Sequence, residues 1–440
     1  MLREVGLKDF VIRAEDKNEW ETRTPIVPDD LKELLELTGS RAYIQRSSKR
    51  WFSDELYKRA GARIIENGYP VDIIFGIKEI PLEKIVANKV YIFFSHTIKG
   101  KKANMPALKK IIDGGSTLID YEKIQDQIGR RLILFGRYAG NAGAVDILWL
   151  LGEYWAYHGI PNPFSEIKQA LHYKSVKEVQ AHLRSIGEKI KSSGLPEQLS
   201  PLVIGILGYG NVSNGAQTIF DCLPIERITP ERLADFIKSD HWNKHTIYMS
   251  IFKEKHLVHR KDDIEFDLQD YYRNPQNYSS QFDQYLPYLN IIINAIFWDK
   301  QYPQFVTWRS LKELFVEHPQ TRLYGIADIS CDVNGAIECN VKTTAPGAPA
   351  YLCDPLTQKI NDTHLGDGIV VLAVDNLPCE FAYDASIFFS NTLKKFVPNI
   401  LSANFTAPID ESGLDPEIQN AVIVYNGRLT KKYQYLNQYL

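Results

Sequence analysis

The stretch that decides the fold is Leu202-Val-Ile-Gly-Ile-Leu-Gly-Tyr-Gly-Asn-Val-Ser-Asn-Gly-Ala216. Leu202 to Leu207 reads as a buried strand, Gly208-Tyr-Gly210 as a tight turn, and the residues from Asn211 as the start of a helix. Such a turn is where a dinucleotide binds. Gly208 permits the turn, and Gly210 removes the Cβ that would stand between the backbone and a pyrophosphate. The free N–H groups of Asn211, Val212 and Ser213, at the helix start, then face the phosphate charge. The third small residue expected for close helix–strand packing is Ser213, with Gly215 and Ala216 just behind it.

Downstream, Ile225–Thr229, Thr246–Phe252, Asn290–Trp298, Tyr324–Ser330 and Ile369–Val374 are strand candidates. Helical patterns such as Glu231–Lys238 and Ser310–Glu317 separate them, which predicts a doubly wound α/β domain. The polar, tyrosine-rich span Arg260–Tyr288 reads as an irregular insertion. Upstream, Ala14–Pro28 is polar and bounded by prolines, predicting an exposed loop. Asp29 or Asp30 then caps a helix that Gly39 ends. The runs Val71–Glu79 and Val90–Phe94 are apolar and finish in Lys78-Glu79 and Ser95-His96-Thr97, and Asp120-Tyr-Glu122 repeats the pattern. Strands that end in reactive groups predict a parallel sheet with its site at the carboxyl edge. Ala139–Tyr157 reads as a long buried helix leading into the second domain.

At 440 residues the chain fits two domains. A net charge of -3 gives no electrostatic reason to expect nucleic acid or an anionic membrane, so small molecules are the expected partners. The five cysteines show no C-x-x-C pair and no histidine at metal-ligand spacing, which predicts reduced thiols, no metal and a cytoplasmic protein. No run of eighteen apolar residues occurs.

Several segments resemble the lysine-ketoglutarate reductases, the saccharopine dehydrogenases that form lysine. They are Phe94-Ser-His-Thr-Ile-Lys99, Asp120-Tyr-Glu122, Phe135-Gly-Arg-Tyr-Ala-Gly140 and the glycine stretch itself. Asp270-Tyr-Tyr-Arg-Asn-Pro275, Ile293-Asn-Ala-Ile-Phe-Trp298, Asp328-Ile-Ser-Cys-Asp332 and Asp354-Pro355 carry the same resemblance. It implies the alanine dehydrogenase and transhydrogenase fold: two Rossmann-like domains with parallel, doubly wound sheets and a cleft between them. The expected substrate domain is 1–138 completed by 376–440, and the expected dinucleotide domain is 139–375. The implied reaction joins lysine to 2-oxoglutarate and delivers hydride from a nicotinamide to the imine, giving saccharopine, with oxidative cleavage as the reverse. A related amino-acid or opine-forming reductase, or a silent nucleotide-binding subunit, is the alternative.

The resemblance matches Lys78 and His96 to the family's acid–base pair. A lysine at the end of an apolar strand is desolvated, which lowers its pKa, and histidine titrates near neutrality. Glu79 and Glu122 are candidates to tune Lys78 by charge. Arg23 matches a substrate-binding arginine, and a planar guanidinium suits a carboxylate. Lys99, Arg130 and Arg131 are further carboxylate candidates, one of the paired arginines being structural. Asn294, Ala295 and Asp328 match positions at the nicotinamide end. About twenty residues past the fingerprint stand Glu226, which suits a ribose 2′-hydroxyl, and Arg227, which suits a 2′-phosphate. Neighbours on a strand face opposite ways, so one of the two reaches the ribose. The resemblance favours NADP(H) over NAD(H).

Overall fold

The structure, a computed structural model, describes residues 7–239 and 241–440. The chain forms two compact units, one split (Met1–Phe135 with Ala382–Leu440) and one continuous (Gly136–Phe381). In chain order the split unit first contributes β1 (Phe10–Ile12), β2 (Ala42–Gln45), β3 (Arg63–Ile65), β4 (Ile73–Phe75), β5 (Val90–Phe93) and β6 (Thr117–Asp120). The continuous unit follows with β7 (Leu202–Leu207), β8 (Ile225–Arg227), β9 (Ile247–Phe252), β10 (Val258–Arg260), β11 (Tyr278–Ser280) and β12 (Ile291–Asn294). It ends with β13 (Gly325–Asp328), β14 (Ala350–Cys353), β15 (Ile360–Asn361) and β16 (Ile369–Leu372). The split unit then closes with β17 (Val422–Tyr425) and β18 (Arg428–Leu429).

Each unit holds one eight-stranded sheet, β18-β17-β6-β5-β4-β1-β2-β3 in the split unit and β15-β14-β16-β13-β12-β7-β9-β8 in the continuous one. The strands at the centre of both are parallel, and among the described residues each sheet has antiparallel pairs at one end, β6–β17 and β17–β18 in the split unit and β16–β14 and β14–β15 in the continuous one. The fold is therefore α/β with two doubly wound sheets. Strand β7 is buried on both faces, with Ile204 and Ile206 in one core cluster and Val203 and Leu207 in the other. That is why its sequence is a continuous apolar run rather than an alternating one.

The long helix Gly136–Tyr157 crosses the fingerprint helix Asn211–Phe220 at backbone contact. A Cβ on Gly140 would collide with the Val212 carbonyl and lie 2.8 Å from the Ala216 nitrogen, and one on Gly215 would collide with the Arg137 carbonyl. Asn141 Nδ2 adds a bond to the Gly215 carbonyl at 2.9 Å. The small residue that lets the fingerprint helix pack is thus Gly215, and it packs on a helix.

Three sequence expectations are corrected. The end of the Ala14–Pro28 loop is buried from Arg23 to Pro28, because the Thr24 and Val27 N–H groups donate to the Ser386 and Ser390 hydroxyls at 3.1 and 3.0 Å. The following helix, Pro28–Thr38, starts with Pro28 in its first turn after Val27, with no side-chain cap from an aspartate. The Arg260–Tyr288 span carries the helix Leu268–Arg273, strand β11 paired with β10, and a further helical segment Phe282–Tyr288, so it is an ordered excursion.

Beneath the continuous unit's sheet, Asp146 and Glu380 are wholly buried side by side. Asp146 accepts the Ala170 N–H at 2.8 Å. Burial raises both carboxyls, and for Glu380 the neighbouring Asp146 charge raises it further. The folded state therefore keeps a proton that the unfolded chain releases near pH 4, and this costs stability as pH rises above that value. Glu380→Gln should raise the melting temperature at neutral and alkaline pH, worth on the order of 1–3 kcal/mol, and coincide with the parent in acid. Thermal unfolding followed across pH checks this.

Candidate functional site

Three adjacent parallel strands of the split unit, β4, β5 and β6, end at one edge of the sheet. Lys78, His96 and Glu122 follow them within three residues. Two buried carboxylates hold these turns in place. Asp120 accepts the Ser95 N–H at 3.0 Å and the Ser95 hydroxyl on one oxygen, and the Glu122 N–H at 2.8 Å on the other. It thereby ties the turn bearing His96 to the turn bearing Glu122. Glu15 accepts the Ile77 and Lys78 N–H groups at 2.7 and 2.9 Å, with Arg13 beside it.

His96 has a left-handed backbone, φ 51°, which is costly for a residue with a Cβ and marks a position that its surroundings impose. Its ring stacks nearly parallel to Phe94, 6.2 Å between centres, and Nδ1 lies 2.6 Å from Glu79 Oε1. Burial acts to raise Glu79, but the His96 hydrogen bond and the charges of His96, Lys17 and Lys78 outweigh it and hold the carboxyl at about 2. Lys78 moves the other way. Burial lowers its pKa, Arg23 and Lys17 lower it further, and Glu79 and Glu21 oppose them. The edge therefore holds an amine poised to lose its proton beside a carboxylate that stays ionised and is bonded to histidine.

Arg23 is buried against its own loop. Nε donates to Glu21 Oε1 at 2.7 Å, Nη2 donates to Oε2, and the guanidinium sits 4.3 Å from the Phe135 ring centre. Glu122 is engaged by Arg131. The acids acting on Lys78 are Glu79 and Glu21. Arg130 is exposed and closes its own turn on Asp126 at 2.7 Å, and Lys99 is exposed on the turn between Thr97 and Gly100.

In the continuous unit Gly208 has φ 95°, and a Cβ there would lie 2.8 Å from Ile296. Gly210 is the N-cap of the helix, and a Cβ on it would find nothing within 4 Å. Asn211 and Val212 form the helix's first turn with Ser213, whose side chain is buried. A cavity of about 420 Å³ opens beside this turn, lined by Gly208, Gly210, Glu254, Tyr272, Ala295 and Trp298 among others. The open space at Gly210 leaves the backbone of this turn accessible on that side. Asn294 and Asp328 stand buried at the ends of β12 and β13, bonded at 2.8 Å.

Arg227 stands on β8, one strand removed from β7. Strand β9, not β8, is the neighbour of β7, because β8 with the helix Pro230–Lys238 is laid outside it. The residues at the carboxyl end of the strand beside the fingerprint are Lys253 and Glu254. Arg227 is salt-bridged to Asp221 at 2.7 and 2.9 Å, and Glu226 is exposed on the edge strand. Glu254 accepts the Tyr272 and Tyr209 hydroxyls at 2.6 and 3.3 Å. Lys253 also lines a hollow of about 340 Å³ with Arg227, Thr229, Glu231, Lys255 and His256, where Glu231 pairs with Lys255 at 3.0 Å and with His256 at 2.9 Å. The sequence carried a signal for Lys253 and Glu254, an apolar strand ending in charge, as it did for Lys78. Glu15, in the Arg13-Ala-Glu15 run after β1, had no such signal.

Among the described residues no helix is long and apolar enough to cross a membrane. Residues 11–142 match the alanine dehydrogenase/PNT N-terminal domain and residues 276–432 the alanine dehydrogenase/PNT C-terminal domain. The alpha-aminoadipic semialdehyde synthase of Arabidopsis thaliana is 37% identical over 97% of this chain, and the mitochondrial protein of that name from Mus musculus is 33% identical over 98%. The chain spans 41% and 47% of the length of these two proteins. The saccharopine dehydrogenase [NAD(+), L-lysine-forming] of Candida glabrata is 28% identical over 85% of this chain and 87% of that protein. An L-alanine dehydrogenase structure shares the fold with a TM-score of 0.62 at 15% identity, covering 98% of both chains.

Replacing Asp120 by alanine strands the Ser95 and Glu122 backbone N–H groups, while the Ser95 hydroxyl keeps the Thr97 hydroxyl at 2.8 Å. The expected loss is on the order of 3 kcal/mol, and Asp120→Asn, which keeps an acceptor, should lose less. Denaturant unfolding of the two variants measures both.

Proposed function

Because the chain belongs with the alpha-aminoadipic semialdehyde synthases and saccharopine dehydrogenases in the alanine dehydrogenase/PNT family, we propose that it is a nicotinamide-dependent oxidoreductase that joins lysine and 2-oxoglutarate into saccharopine and cleaves saccharopine in reverse. The observation that carries the reading is the pairing at one sheet edge of a desolvated Lys78 with Glu79 bonded to His96. Condensing an ammonium with a ketone needs a base for the amine and an acid for the departing hydroxyl, and these groups have those properties.

Lys78 takes the proton from the substrate's ε-ammonium, and the free amine attacks the ketone carbon of 2-oxoglutarate. His96 gives a proton to the carbinolamine hydroxyl, which leaves as water and yields the imine. Glu79 keeps His96 oriented and compensates its positive form. Arg23 and Arg131 bind substrate carboxylates, each already balanced by a glutamate (Glu21 and Glu122), so the substrate competes for a guanidinium that is held in place. The nicotinamide supplies hydride to the imine carbon when bound. Gly208, Gly210 and the N–H groups of Asn211, Val212 and Ser213 hold its pyrophosphate.

We further propose NADP(H) over NAD(H), read now at the end of β9. Lys253, at the carboxyl end of β9 and on the wall of the adjoining hollow, offers a cation to a 2′-phosphate, while Glu254 is occupied by two tyrosine hydroxyls. Arg227 and Lys255 in that hollow are already paired with Asp221 and Glu231.

The decisive assay follows NADPH absorbance with lysine and 2-oxoglutarate added singly and together. Consumption should require both, and Lys78→Met should slow it about 10²- to 10⁴-fold. A protein that binds nucleotide yet turns over no lysine would sink the substrate assignment and direct screening to other amines. Since burial and nearby cations disfavour the ammonium of Lys78, the acid limb of kcat/KM in the reductive direction should lie below the usual lysine range near 10. Lys253→Ala should raise KM for NADPH about tenfold and leave KM for NADH unchanged.

A further inference from the structure

Asn294 closes β12 beside the fingerprint strand, and Ala295 to Trp298, which follow it, line the nucleotide cavity. Its two side-chain atoms are in different states. Nδ2 donates to Asp328 Oδ1 at 2.8 Å, while Oδ1 is buried and has no hydrogen-bond partner. An orphaned buried acceptor is costly unless a ligand satisfies it. Its orientation is set from behind. An ionised carboxylate only accepts, so Asp328 requires an N–H₂ from Asn294 and leaves Oδ1 pointing away from itself. Asp328 is itself held by Asn340, whose Nδ2 donates to Oδ2 at 2.7 Å, and by the Cys331 N–H at 3.2 Å. Asn340 is wholly buried, and Tyr351 packs its hydroxyl on the Cys339 carbonyl at 2.9 Å next to it.

We propose that Asn340 is a positioning residue for the cofactor: through Asp328 it fixes Asn294 with Oδ1 presented to the carboxamide N–H₂ of the nicotinamide ring. This rests on the nicotinamide reading above. Asn340 touches neither cofactor nor substrate, and nothing in the sequence motifs marks it.

Asp328 is the hinge of the relay because its charge must persist. Burial raises its carboxyl to about 6 against the hydrogen bonds of Asn340 and Asn294. The other titratable groups around it are Asp332, which raises it, and the thiols of Cys331 and Cys339, which are themselves pushed up. Asp375 acts on the same cluster through Cys331. Without the Asn340 N–H₂, Asp328 holds its proton to higher pH and becomes a donor as well as an acceptor. Asn294 is then free to turn its amide over, presenting N–H₂ to N–H₂.

The test is equilibrium binding, by titration calorimetry, of NADPH and of 2′-phospho-ADP-ribose, which has the same adenosine half without the nicotinamide. Asn340→Leu, of similar volume, should bind NADPH about tenfold more weakly at neutral pH, bind 2′-phospho-ADP-ribose as the parent does, and regain NADPH affinity at alkaline pH as Asp328 ionises. Asn340→Gln, which restores an amide donor, should recover part of the loss. Equal weakening of both ligands, or a loss that pH leaves unchanged, would overturn the proposal and leave Asn340 a packing residue. If the unmutated protein binds neither ligand, the dinucleotide reading itself fails and takes this one with it.

Discussion

The continuous unit depends on a contact with no side chains in it. Where the helix Gly136–Tyr157 crosses the helix Asn211–Phe220, Gly140 and Gly215 let the two backbones meet, and a single methyl group at either place would collide with a carbonyl. Packed interiors do not absorb such an intrusion by local give. The crossing therefore fixes how the fingerprint helix lies on the sheet, and with it the direction in which the N–H groups of its first turn point. Backbone dipoles have no side chain to readjust, so the direction of these N–H groups is inherited from this packing.

The split unit relies on the opposite device, charge held away from water. Lys78, Glu79, Glu21, Arg23, Glu15 and Asp120 are gathered around the ends of three strands. Burying this many ionisable groups is a poor way to gain stability, since desolvation offsets most of the attraction between them. It is an effective way to move proton affinities apart, lowering an amine while keeping a carboxylate ionised next to it. Asp120 and Glu15 spend their hydrogen bonds on backbone N–H groups, and so convert the rigidity of a parallel sheet into fixed places for His96 and Lys78.

Much of this was legible in the sequence, and the reasons are specific. The apolar run before Gly208 could only be a strand buried on both faces, and the apolar runs ending in Lys78 and His96 could only place those groups at a carboxyl edge. What was hidden depended on order in space. Spacing along the chain pointed to Arg227 for the ribose, but the sheet sets β9 beside β7. The Ala14–Pro28 loop reads as exposed because its backbone N–H groups at Thr24 and Val27 find their acceptors in serines more than 350 positions away, Ser386 and Ser390. Gly215 is visible as a small residue behind the turn, yet its partner Gly140 sits in a helix whose apolar sequence gives no periodic face by which to tell what it meets. Asn340 lies in an irregular segment and carries no local pattern at all.

The split unit also sets an order of events in synthesis. Its sheet takes six strands from the first 120 residues, then β17 and β18 from beyond residue 420, and its loop before Pro28 is pinned by serines at 386 and 390. While the ribosome makes the intervening stretch, those six strands stand without an edge partner and with unpaired backbone at β6. The continuous unit, which draws on no distant segment, is free to fold during that interval. The carboxyl edge that carries Lys78 and His96 therefore belongs to the unit completed last. The unit that carries the glycine turn can therefore be complete before the edge that carries Lys78 and His96 is closed.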